Sequence, residues 1–161
     1  MTPAELITTR FKARIENNGA TVPVESLLLQ ALAGQKRETA SSGILLSVHI
    51  SEQPEEPLSH YKFDVKARLV CSIDDDKSGE TFRENYEALW HAFDFLARGD
   101  NCEELGDEND HAENDGDPEP PHVFAVDGFQ LGAGDEPDYQ EDDNGGTWTT
   151  TFSATLTGRA N

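Results

Sequence analysis

The chain has little positive charge and almost none of it in its second part. Twelve Lys and Arg residues stand against 32 Asp and Glu in 161 residues, a formal charge of −20, and no Lys or Arg occurs between Arg98 and Arg159. The carboxylates of that stretch have no local cationic partners, so they are solvated, face bound cations, or line a surface meant to be negative. Such a surface repels nucleic-acid phosphates, anionic membranes and acidic ligands before contact is made, which excludes a sequence-reading DNA binder. Cysteine is scarce: Cys71 and Cys102 stand alone, with no C-x-x-C pattern, so a disulfide framework is excluded and reduced thiols, one of them in a strand, are expected. No run approaches the roughly 18 to 20 consecutive apolar residues that span a bilayer. The opening Met1-Thr2-Pro3-Ala4-Glu5 lacks a basic region followed by an apolar run, so no secretory signal is read and a cytoplasmic product is expected.

Motifs of known chemistry are missing as well. His49, His60, His91, His111 and His122 are scattered, without the H-x-x-x-H or H-E-x-x-H spacing that puts two imidazoles on one metal. No G-x-S-x-G elbow, phosphate loop or G-x-G-x-x-G fingerprint occurs, and the glycine-rich Gly128–Gly134 follows acidic residues without opening a helix. No cofactor is expected. Asp74-x-Asp76-x-Ser78-Gly79 looks like the start of a calcium loop, but the twelfth position is Asn85 where a bidentate Glu belongs. The simpler reading is a turn whose charges sit ahead of a helix N-terminus. Among so many carboxylates any acid–base pair would be an arbitrary choice, and a solvated acidic surface is the plainer reading.

What is present has clear periodicity. Thr2, Pro3 and Glu5 form a capping box with proline at the first helical position, and Ile7, Phe11 and Ile15 recur at i+4, predicting a helix from Pro3 to Glu16 with Arg10, Lys12 and Arg14 facing water. Asn17-Asn18-Gly19 stops it. Ser26–Gly34 fits a short helix or a buried strand, with the helix preferred, and 35–43 is a polar loop. Ile44–Ser51 alternates through Leu46, Val48 and Ile50. From Tyr61 to Ile73 the odd positions are apolar and the even ones mostly polar, so these two runs predict an antiparallel hairpin. Thr81 and Glu84 have capping-box spacing, and Phe82, Tyr86, Leu89, Trp90, Phe93, Leu96 and Ala97 follow at helical spacing, predicting a helix whose aromatic stripe seals the sheet. Specifically, Phe82, Tyr86, Trp90 and Phe93 are expected on Phe63, Val65, Ala67 and Leu69.

Asp100–Pro121 has almost no apolar residue and is read as a long acidic loop that buries nothing. Val123–Leu131 and Thr147–Thr157 read as two strands joined by an acidic loop over Gly132–Gly146. The whole is expected to be one α+β domain, residues 1–161, with an antiparallel sheet of about four strands and two main helices on one face.

That order of elements resembles the phage tail terminator family, also called head–tail joining or minor tail proteins, of long-tailed bacteriophages. The capped first helix, the hairpin Ile44–Ser51 and Tyr61–Ile73, the helix Phe82–Ala97 and two closing strands match. The run Asp138-Tyr139-Gln140-Glu141-Asp142-Asp143-Asn144-Gly145-Gly146-Thr147-Trp148-Thr149-Thr150-Thr151-Phe152 is similar to the end of lambda-type members, where a Tyr- and Asp-rich turn leads into a Trp-containing last strand. The resemblance implies a structural virion protein of the tail or neck rather than an enzyme. It implies a homo-oligomeric ring, a hexamer, that caps the tail tube, ends its polymerisation and meets the tail-tube protein and a head-completion or neck protein. It also implies assembly in the host cytoplasm, with no membrane partner and DNA passing without specific binding. Asp135, Glu136, Asp138, Glu141, Asp142 and Asp143 are then the candidate pore or interface acids, since a carboxylate lining offers phosphates nothing to hold. The competing expectations are another neck or tail-tube protein, or an intracellular acidic module that binds a basic partner.

Overall fold

A computed structural model describes residues 2–35, 41–52, 60–74, 79–106, 124–143 and 145–160. Thr2 caps α1 (Pro3–Asn17) through the reciprocal bonds the sequence predicts: the Glu5 N–H donates to the Thr2 hydroxyl at 3.2 Å and the Thr2 N–H to the Glu5 carboxylate at 3.4 Å. Ile7, Phe11 and Ile15 are fully buried. Arg14 departs from the expectation that it faces water. Its guanidinium lies 4.2 Å from the centre of the Phe95 ring and holds the Glu104 carboxylate with two bonds, at 2.5 and 2.6 Å, because the planar fork can serve an aromatic face and a carboxylate together.

A two-residue strand β1 (Val24–Glu25) is followed by α2 (Leu27–Leu32), capped by the Ser26 hydroxyl at 3.3 Å from the Leu29 N–H. The hairpin of β2 (Gly43–Glu52) and β3 (Tyr61–Ser72) forms as expected, with Ile44 opposite Leu69 and Leu46 opposite Ala67. The odd residues Phe63, Val65, Ala67, Leu69 and Cys71 are buried while Lys66 and Arg68 are exposed. Helix α3 (Glu80–Ala97) starts one residue before Thr81. Gly79, at φ +71°, is its N-cap with no side-chain bond, so the Thr81/Glu84 box of the sequence reading is not used. A left-handed glycine turns the chain into the helix instead, a conformation other residues adopt at a cost.

Further along, β4 (Phe124–Leu131), β5 (Asp138–Asp142) and β6 (Gly145–Ala160) complete a six-stranded sheet in the order β1-β2-β3-β6-β4, with β5 also on β6. The class is α+β, and the expected count of about four strands is corrected to six. The acidic loop read over Gly132–Gly146 contains a strand: Asp138 pairs with Thr149, Tyr139 with Trp148 and Asp142 with Gly145. β4 takes the other end of the same side of β6, from Leu131 opposite Ala154 to Phe124 opposite Ala160. The central pair is β3 with β6, antiparallel from Tyr61 opposite Gly158 to Ser72 opposite Thr147.

The acidic stretch after Asp100 also differs at its start. Asn101–Leu105 is a 3-10 helix whose Cys102 and Leu105 are 3% and 0% exposed, so two apolar side chains among acids suffice to dock it under the sheet. Residues 107–121 of that stretch, the Asp75–Ser78 part of the calcium-like turn, and His111 and His122 lie outside the described residues.

The core gathers Ile7, Phe11 and Ile15 of α1, Leu89, Phe93 and Leu96 of α3, the odd residues of β3, and Leu156. Phe93 is its aromatic hub, 5.2 Å from Phe11, 5.5 Å from Phe152 and 5.9 Å from Phe129 between ring centres. Phe82 and Tyr86 pack at its margin. Trp90 does not join it: it is 48% exposed, and Ala88, Leu89 and Ala92 face inward in its place.

Candidate interaction surface

Trp90 marks a groove of about 240 Å³ between α3 and the connection from β4 to β5. Its apolar wall is Tyr86, Trp90, Phe152 and Leu131, and Asp94 and Asp135 stand on its rim. Leu131 is 49% exposed. The connection that forms the outer wall is fixed by β6: the Gly132 N–H donates to the Ser153 carbonyl at 2.8 Å, Ser153 Oγ to the Ala133 carbonyl at 3.3 Å, and Thr150 Oγ1 to the Asp135 carbonyl at 3.4 Å.

Aromatic surface continues from the groove toward the β5–β6 hairpin. Tyr86 lies 5.3 Å from Phe152 and 6.1 Å from Phe82, Phe82 lies 6.0 Å from Trp148, and Trp148 lies 4.9 Å from Tyr139. Trp148 and Tyr139 are 38% and 39% exposed. Gly146, directly beneath, has no side chain because a Cβ there would enter the Tyr139 ring. Grouped aromatic surface of this kind on a water-facing side marks contact with another molecule.

The six candidate acids are distributed along this edge. Asp135 and Glu136 are exposed on the connection; Asp138 and Glu141 are exposed on β5; Asp143 is exposed in the turn after it; Asp142 is paired through its backbone to Gly145. Asp138 shares a face with its partner Thr149, and Tyr139 and Glu141 share the opposite face with Trp148. Of the six, only Asp135 lines the groove, together with Asp94, whose carboxylate is held at 2.9 Å by Arg98.

Three features went unread in the sequence. Asn85 is fully buried and fully used: its carbonyl accepts from the N–H groups of Thr21 and Val22 at 2.8 and 3.2 Å, and its amide donates to Thr21 Oγ1 and the Thr81 carbonyl at 2.8 and 2.7 Å. The residue that fails as the last position of a calcium loop is thus the tie between α3 and the segment entering β1. Secondly, a register shift between Val126 and Gly128 presents Asp127, which meets His60 Nε2 at 2.7 Å and accepts from the Thr157 hydroxyl at 3.0 Å. The hydroxyl is bonded to the carboxylate rather than to the imidazole, so the chain does not have the order that activates a nucleophile. Thirdly, burial pushes the Cys102 thiol above its ordinary range, with Glu103, Asp127 and Asp100 adding to the rise. Such a thiol is inert rather than reactive.

A wider depression of about 720 Å³ lies between α1 and α2, lined by Lys12, Glu25, Ser26 and Gln30, with Gln35 as the last described residue on its wall. Ser26 there serves as the cap of α2, its hydroxyl accepting from the Leu29 N–H. Among the described residues, no three His, Cys, Asp or Glu side chains are placed to hold a metal ion, and no helix is long and apolar enough to cross a membrane.

The groove, the exposed Tyr139 and Trp148 and the acids of the β4–β5 connection and β5 lie along one edge of the fold. Compared with known proteins, the chain matches no family model and no curated sequence.

Proposed function

We propose that the protein is a structural virion component of the tail terminator type, assembling as a homo-oligomeric ring, a hexamer, on the end of a tail tube. There it stops tube growth and offers the face to which a head-completion or neck protein attaches. The observation that carries the reading is the apolar groove with its acidic rim beside the exposed Tyr139–Trp148 pair. A soluble subunit leaves such a surface open for a partner. The carboxylates of the β5–β6 edge, which among the described residues have no ion-pair partner, suit a channel through which DNA slides, because they give phosphates no favourable contact. The same rim would also serve a basic protein partner of an acidic binding module.

Native mass measurement and electron microscopy with purified tail tubes separate these readings. A terminator yields a closed ring and caps tube ends at uniform length. A protein that stays monomeric, leaves tubes uncapped and binds an added basic protein instead overturns the proposal in favour of the acidic module.

A further inference from the structure

The sheet has a second face, opposite the helices, and its chemistry is unlike the rest of the molecule. Its residues on β3 are Lys62, Asp64, Lys66, Arg68, Val70 and Ser72, and across from them on β6 stand Thr157, Thr155, Ser153, Thr151, Thr149 and Thr147. Three of the twelve basic residues in a chain of charge −20 therefore lie on one strand. Lys66 and Arg68 are exposed, and among the described residues none of the three basic side chains has an ion-pair partner. Asp64, the one acid in the row, is met by His49 at 3.6 Å. On the β6 side the row is flanked by short hydroxyl side chains, which lose little rotamer freedom when covered, and on the β2 side Leu45, Ser47, His49 and Glu52 stand opposite Arg68, Lys66, Asp64 and Lys62.

On the other side of the same sheet, the groove presents Trp90, Leu131 and Asp135; Arg98 is engaged with Asp94 of the same groove, and among the described residues Asp135 has no ion-pair partner. A Lys or Arg stem laid along Trp90 would gain cation–π and apolar contact while its head reaches the Asp135 carboxylate. We infer that the two surfaces fit one another between copies of this chain: the Lys62–Lys66–Arg68 row of one subunit seats against the Trp90–Leu131–Asp135 groove of the next. Because the two patches differ and lie on opposite faces, the contact is head-to-tail, and repetition of it generates a ring or a filament rather than a two-fold dimer. An external basic protein would satisfy the groove but be repelled by the row, and nucleic acid would meet the reverse situation. A second copy satisfies both.

This inference rests on the ring reading and specifies its contact. Salt screens both the attraction of the patches and the repulsion between bodies of charge −20, so charge reversal is the sharper test. The variants K66E/R68E and D135K/E136K are made at exposed positions and checked by thermal melt. Sedimentation velocity should show each alone with self-association weakened about tenfold or more, and the equimolar mixture restored toward wild type, since the reversed row now meets a reversed groove. W90A and L131S should weaken association without being rescued by either reversal. Tube capping by wild type with both reversals neutral overturns this contact and leaves the terminator reading standing. Restoration in the mixture without tube capping by wild type does the opposite. A wild-type chain that is monomeric in solution and on tube ends overturns both.

Discussion

Replacing Asn85 is the most demanding test of how the fold is held together. Its side chain makes four hydrogen bonds at zero exposure, two of them to consecutive backbone N–H groups of the segment that leads into β1. Asn85→Ala removes all four and leaves a small void. The Thr21 side chain is exposed and can rehydrate, so the main loss is at the two backbone donors and the emptied space. At about 1 to 2 kcal/mol for each orphaned donor, the variant should be less stable by about 2 to 4 kcal/mol. For a domain of this size that is a fall of about 5 to 15 °C in Tm. The exposed neighbour Glu84→Ala should stay within about 0.5 kcal/mol and serves as control. Asn85→Asp adds a second reading. It keeps an acceptor for Thr21 and Val22 but cannot donate to the Thr81 carbonyl while charged, so burial and that carbonyl should raise its folded pKa above the unfolded value by more than the two N–H groups lower it. Its deficit relative to wild type is therefore full above the folded pKa and shrinks as pH falls through it, because the native state then binds the extra proton. Chemical denaturation of the three variants across pH checks this. A Tm loss below about 2 °C for Asn85→Ala, or a deficit in Asn85→Asp that grows on acidification, would refute the reasoning.

Other perturbations address the remaining joints. Phe93→Ala, at the meeting point of Phe11, Phe129 and Phe152, should cost about 3 to 5 kcal/mol in urea unfolding, whereas half-exposed Trp90→Ala should cost under about 1 kcal/mol and move only self-association. A double-mutant cycle on Arg14 and Glu104, side chains 22% and 35% exposed, should return a coupling of about 1 kcal/mol. Near-zero coupling would mean that the bidentate geometry is not held in solution. Cys71 and Cys102, both buried, should resist maleimide in the native state at neutral pH and react only on unfolding, Cys102 the more so because burial and nearby acids hold its thiol above the usual range. Rapid native labelling of Cys102 would show that the 3-10 helix opens freely. Deleting residues 107–117 should leave the thermal transition in place, while extending the deletion to Glu103 should lower it, since Leu105 and the Arg14 partner go with it.

Periodicity and capping made α1, β2 and β3 readable, because each rests on local rules: a reciprocal cap, an i+4 stripe, a period of two. The start of α3 was not readable in the same way. Gly79 enters through backbone conformation, which leaves no mark in side-chain spacing, and Thr81–Glu84 imitates the signal it replaces. β5 was hidden because Asp138, Glu141 and Asp142 have poor strand propensity and are held extended by pairing with β6. Trp90 was misplaced because the apolar stripe of α3 is wider than the face the sheet can cover. Small Ala88 and Ala92 let the helix approach, and the large ring turns outward. Of the six acids chosen from sequence, only Asp135 meets the groove. Its aromatic partners come from α3 and β6, and only the fold brings those elements together.

The position of β6 bears on how the chain reaches its native state. The two strands at the middle of the sheet, Tyr61–Ser72 and Thr147–Gly158, come from distant parts of the chain. Closing that long loop is entropically slow and is rewarded only when both strands align. Until then β3 has a bare apolar edge of the kind that captures other chains. The intervening sequence, with 17 carboxylates from Asp100 to Asp143 and no Lys or Arg within that stretch, gives the waiting chain a strong negative charge. Copies of the chain whose sheet still lacks its centre carry that charge and should repel one another, so removing the acids should raise aggregation during refolding.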